Sequence, residues 1–82
     1  KHQYAPRPLW LFLKPHILEV IDGNPYFHGP LEVAKEYERI VSGWWDTFPV
    51  RRDYYHARNN HHIDLWIFRE LNTGHWFAHG IF

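Results

Sequence analysis

The end of the chain is its most constraining stretch. From Val50 onward, β-rich runs are separated by two polar turns, Asn59-Asn60-His61-His62 and Asn72-Thr73-Gly74. In the middle run Ile63, Leu65 and Ile67 share one face of an extended strand, while Asp64, Trp66 and Phe68 share the other, because strand side chains alternate between faces. Gly74 supplies the positive φ that a tight hairpin turn uses. Runs at 51–58, 62–70 and 75–82 joined by such turns predict an antiparallel three-stranded meander. The last run loads Trp76, Phe77, Ile81 and Phe82 onto both faces. Chain ends fray unless tied down, so this loading predicts a terminus built into the sheet as core.

The rest of the chain extends the β pattern. Residues 1–8, with two prolines, read as a linker or lead-in, and 9–82 as a single domain. The continuous apolar run at 9–13, closed by Lys14-Pro15, suits a strand buried on both faces. A second short run spans 17–21, and Asp22-Gly23-Asn24-Pro25 is dense turn punctuation. A third strand is expected over 26–34, interrupted at Gly29-Pro30. Residues 31–41 fit both periods: Leu31, Ala34, Ile40 and Val41 partly match a helix, whereas Leu31 and Val33 alternate with Glu32 as in a strand. The preferred form there is a strand followed by a turn near Lys35-Glu36. The expected fold is all-β, a small antiparallel sheet curled into a half-barrel or barrel.

Composition narrows the function. Nine basic residues balance nine acidic ones in 82 residues, whereas a dedicated nucleic-acid domain usually reads strongly basic. Aromatics make up 20% of the chain, and in so short a domain they serve first to build a core. Cysteine is absent, which removes disulfides, thiolate metal sites and cysteine nucleophiles and fits a reducing compartment; the expected location is the cytoplasm. No apolar run approaches the roughly 20 residues of a membrane helix. Position 1 is lysine, so the expectation is a piece of a longer protein.

Eight histidines raise a metal site as a candidate. Ligands must converge on one point, yet His61 and His62 are adjacent, and His75 and His79 would sit about 13 Å apart along a strand. Only His56 with His61 or His62 would meet across a hairpin, so no metal or other cofactor is expected. Asp46 and Asp53 are candidates for acid–base work, but the simpler reading makes Asp46 a turn cap and Asp53 the ion-pair partner of a neighbouring arginine. No phosphate loop, nucleophile elbow or catalytic triad spacing is present, and no catalytic residue or small-molecule substrate is assigned. The remaining constellation is Trp44, Trp45, Arg51, Arg52, Tyr54, Tyr55 and Arg58. Arginines with aromatics suit a protein-interface hot spot or a face that stacks unpaired bases and holds phosphates; the plainest reading packs the rings inward under arginine stems. Trp44 and Trp45, being adjacent, would leave opposite faces of an extended backbone, one as core and one as an interface anchor.

Read in order, the blocks Arg7-Pro8-Leu9-Trp10-Leu11, Ser42-Gly43-Trp44-Trp45-Asp46, Arg51-Arg52-Asp53-Tyr54-Tyr55, Leu65-Trp66-Ile67-Phe68-Arg69-Glu70 and His75-Trp76-Phe77-Ala78-His79-Gly80-Ile81-Phe82 resemble the extreme C-terminal domain of ImuB-type proteins, Y-family DNA-polymerase-like factors of bacterial mutagenic repair. The resemblance covers nearly the whole chain. It departs at Glu36-Tyr37-Glu38-Arg39-Ile40, where the family often has Gly-Pro before Glu-Arg-Ile. What it implies is a non-catalytic accessory module in a translesion-synthesis complex, with protein partners of the kind such factors join: a RecA-like factor, an error-prone C-family polymerase and the sliding clamp. Direct contact with single-stranded DNA through the arginine–aromatic face is the alternative.

Overall fold

The computed structural model describes residues 7–42 and 50–82. Among these residues seven strands follow one another: β1 (Trp10–Ile17), β2 (Glu19–Ile21), β3 (Asn24–Tyr26), β4 (Leu31–Val41), β5 (Arg51–Asn59), β6 (Asp64–Glu70) and β7 (Trp76–Ile81). Five form one antiparallel sheet in the order β1-β7-β6-β5-β4, and β2 and β3 form a separate two-stranded sheet. The protein is all-β, and among the described residues no helix is long and apolar enough to cross a membrane.

The expected meander is present as β5, β6 and β7, paired in sequence order. Its first turn closes where the Asn59 N–H donates to the Ile63 carbonyl at 3.1 Å and the His62 N–H donates to the Asn59 carbonyl at 3.1 Å. Asn59 is buried and organises the turn. Its side-chain oxygen accepts from the N–H groups of His61 (2.9 Å) and Ile63 (3.0 Å), and its amide donates to the Phe27 carbonyl (2.9 Å). One asparagine thus satisfies three backbone groups that would otherwise be costly to bury. The second turn closes through the Glu70 N–H on the His75 carbonyl at 2.8 Å, with Gly74 at φ +81°.

The sheet is open rather than a closed barrel: β1 and β4 are its two edges and do not pair with each other. The 9–13 run is not buried on both faces. It enters β1, which continues through Lys14-Pro15 to Ile17, and Trp10 is 70% and Leu11 60% exposed, with Leu9 and Leu13 still more so. Position explains the difference. Among the described residues β1 pairs only with β7, and its register breaks between Leu11 and His16, so four residues bulge away from the ladder; of these described residues only Phe12 reaches the core. A proline inside a strand is tolerated at such an edge.

Other boundaries also shift. Ile17 closes β1, and the second strand is only Glu19–Ile21, turned by Asp22-Gly23 into β3. The strand expected over 26–34 is split between β3 and β4. The turn expected at Lys35-Glu36 is instead an irregularity within one 11-residue strand, where the β4–β5 register slips between Val33 and Tyr37. The lead-in is more than a linker at its end: an added Cβ on Gly80 would meet the Trp10 carbonyl oxygen at 2.5 Å and Pro8 Cγ at 2.8 Å, so Pro8 and Trp10 lie directly on β7.

The core is divided by the sheet. One cluster gathers Leu18, Leu31, Ala57, Leu65, Ile67 and Ala78, with Phe12, Phe27, Tyr55 and Trp76 packed against it. The other is built from Tyr54, Trp66 and Phe68, with Ile40, Phe77 and Phe82 around it. The alternation expected in β6 is what sends Leu65 and Ile67 to the first and Trp66 and Phe68 to the second.

Candidate functional site

Alternation along β5 sends the arginine–tyrosine cluster to two faces. Arg52, Tyr54 and Arg58 share the face of Trp66 and Phe68, as the pairs Arg52↔Glu70, Tyr54↔Phe68 and Arg58↔Asp64 require. Tyr55 lies on the other face, packed on Tyr37 and Trp76 at 5.5 Å and 5.3 Å between ring centroids. Arg51, exposed, sits opposite Val41 at the far end of β4. The expectation about Trp44 and Trp45, and that for Asp46, lies outside the described residues.

Tyr54 is the hub of the first face and is only 4% exposed. Its ring stacks on Trp66 at 4.1 Å and tilts against Phe68 at 5.0 Å. The Arg52 guanidinium donates to the Tyr54 hydroxyl at 3.1 Å, and that hydroxyl meets His79 Nδ1 at 2.8 Å. The phenol oxygen accepts from the arginine, and its O–H is free to donate to Nδ1, an arrangement that fits a neutral His79 carrying its proton on Nε2. Burial, and secondarily Arg52, lowers the His79 pKa in agreement with that state. Burial raises the Tyr54 phenol. The Arg52 guanidinium lies 4.3 Å over the Phe68 ring, a cation–π contact, while its Nε is buried without an acceptor among the described residues.

Three arginines of the described residues are paired with carboxylates. Arg39 grips Asp53 with two hydrogen bonds at 2.7 and 3.0 Å. Asp53 is 6% exposed, and Arg39 holds its carboxyl below the usual carboxylate range. The partner is the residue opposite on β4, not the neighbouring Arg51 or Arg52. Arg58 binds Asp64 in the same forked way at 2.7 and 3.2 Å, and His56 Nε2 reaches the same carboxylate at 3.3 Å. Arg7, in the lead-in, forks onto Glu38 of β4, and its guanidinium stands 5.4 Å from the Trp66 ring centroid. Among the described residues there is no group of three or more His, Cys, Asp or Glu placed to hold a metal ion; His61 and His62 lie in the turn after β5.

Sequence reasoning did not single out Arg7, Glu38, Trp66 and His79 as site residues. Trp66 and Tyr54 were within reach, since the same alternation places both on one face. Arg7 and Glu38 are 31 positions apart, and no local pattern joins them. Comparison of the chain with models of known protein families, with curated proteins and with solved structures found no match.

Proposed function

We propose that the chain is a non-catalytic protein-interaction module, the C-terminal accessory domain of an ImuB-like translesion-synthesis factor, and that it docks a protein of the mutagenic repair complex through the side chains of β1. The observation that carries the reading is the number of exposed apolar groups on and just before that edge strand: Leu9, Trp10, Leu11, Leu13 and Ile17. Large apolar groups gathered in the open mark contact surfaces. The bulge and Pro15 blunt the edge against simple addition of another strand, so side-chain packing rather than ladder extension is the mode of contact. The order of the sequence blocks supports the family reading.

The nucleic-acid alternative draws less support. On the arginine–aromatic face, stacking on bases needs open rings, whereas Tyr54 is 4% and Trp66 8% exposed. Of the arginines around that face, Arg7, Arg39 and Arg58 are engaged with carboxylates, which leaves Arg51, Arg52 and Arg69 outside any ion pair among the described residues. The test is direct binding to a purified RecA-like factor and to an error-prone C-family polymerase. The reading predicts affinity for one of them that depends weakly on salt and falls about tenfold, roughly 1.4 kcal/mol, in Leu11→Glu/Leu13→Glu with an unchanged melting temperature. Affinity for single-stranded DNA that collapses with rising salt, unaffected by those substitutions, would replace it with the nucleic-acid reading.

A further inference from the structure

Beside the Arg7–Glu38 pair, where β4 slips against β5, lies a cavity of about 240 Å³. Its lining includes the rings of Tyr54, Trp66 and Phe82 and the ionisable groups Glu36, Glu38 and His56, while Tyr37 and Tyr55, whose rings pack together on the other face, border it. It is smaller than the roughly 300–1,000 Å³ of small-molecule sites, a size suited to one side chain. Aromatic faces with carboxylates at the rim attract cations, by ring quadrupole and by charge. The chain already displays that preference: the Arg7 guanidinium is over Trp66 and forked onto Glu38.

The two halves of this contact differ in how firmly they are held. The receiving half is fixed: Trp66 is stacked on both Tyr54 and His79, and Glu38 sits within β4 opposite Tyr54. The arriving half precedes β1, and the Arg7 side chain is 48% exposed. An exposed ion pair is weak, so its cation exchanges readily for another of the same shape. We propose that the Glu38–Trp66 corner is a receptor for an arginine side chain of a partner peptide, and that Arg7 occupies it in cis as a built-in competitor. The forked geometry selects guanidinium over ammonium, because only the planar fork meets both carboxylate oxygens. The proposal concerns a surface separate from the β1 edge and stands whether or not that edge binds a protein.

The experiment follows the Trp66 indole N–H of the 82-residue chain by NMR during titration with acetyl-Gly-Arg-Gly-amide. The same peptide carrying citrulline, which is isosteric and uncharged, is the control. Removing the competitor in Arg7→Ala raises apparent affinity by about threefold or more, since a cis-occupied site binds in proportion to its open fraction. Glu38→Gln abolishes the Trp66 response in both backgrounds, and citrulline produces none. No Trp66 response to the arginine peptide in folded Arg7→Ala would overturn the proposal, as would equal responses to arginine and citrulline. Should Arg7→Ala not fold, Arg7→Gln retains most of the stem without the charge. If neither folds, Arg7 is a structural clamp and the proposal fails.

Discussion

β1 and β7 are neighbours in the sheet, and both are apolar runs in sequence, yet they have opposite fates. β7 lies between β1 and β6 and feeds both clusters: Ala78 is fully buried, Ile81 packs on one side of the sheet, and Phe77 and Phe82 pack on the other. Among the described residues β1 has a single neighbour, and it leaves Trp10, Leu11 and Leu13 in the open. Burial is set by how many elements flank a strand and cover its faces, not by how apolar the strand is. The asymmetry also divides labour, with β7 contributing to stability and β1 presenting a surface.

The largest expected effect is from removing residues 78–82. That deletion takes away the central stretch between β1 and β6 and the aromatic at the end of the second cluster. Loss of near-ultraviolet circular dichroism and of a cooperative melt is expected, and a native-like melt would break the contrast. Next are single truncations on the two strands. Phe77→Ala removes the ring stacked on Phe68 at 5.1 Å and should cost about 2–4 kcal/mol, somewhat less than a fully buried aromatic. Leu13→Ala should stay within about 0.5 kcal/mol, as exposed substitutions do. Denaturant unfolding of the pair measures both.

A third substitution acts on the seam between the strands. In Gly80→Ala the new methyl group would press on the Trp10 carbonyl oxygen at 2.5 Å. That atom is backbone and cannot swing aside, so a loss of about 1–3 kcal/mol is expected from overpacking, accompanied by looser attachment of β1. The smallest effect concerns pH. The fold holds His79 neutral by keeping its pKa low, so the unfolded chain takes up the proton first as pH falls through about 6.5. The His79 contribution is therefore complete above about pH 7 and declines from there toward the lower folded pKa. The depressed carboxyls of Glu38, Asp53 and Asp64 act further down, near and below about pH 4. The melting-temperature difference between wild type and His79→Gln should shrink between pH 7.5 and 5.5; a constant difference would remove His79 from the account.

What could be read in the sequence follows from the range of the interactions involved. The meander was legible because its turns and its alternation are local: Asn72-Thr73-Gly74 and the Ile63-Leu65-Ile67 row each lie within a few residues. The fate of 9–13 was not, because nothing in that run records that its ladder partner β7 is at the other end of the chain. The same holds for charge. Asp53 was expected to pair with a sequence neighbour, but on a strand the residue directly opposite is closer in space, and the β4–β5 register puts Arg39 there. The slip between Val33 and Tyr37 resembled a turn in sequence, because one strand carrying extra residues and a chain reversal break the alternation alike. Of the candidate cluster, Arg52, Tyr54 and Arg58 lie on one face, while Tyr55 lies on the other by the parity rule that the sequence already obeys.

Amide hydrogen exchange resolved by residue tests the contrast between β1 and β7 most directly. Phe12, Leu13 and Lys14 have no partner on β7 across the break in register, whereas β7 is paired on both sides at Phe77 and Ala78. The amides of Phe12, Leu13 and Lys14 should exchange orders of magnitude faster than those of Phe77 and Ala78, which open only with the whole domain. Equal protection across both strands in the isolated chain would mean that β1 is covered, and the open apolar edge on which its proposed role as a contact surface rests would not exist.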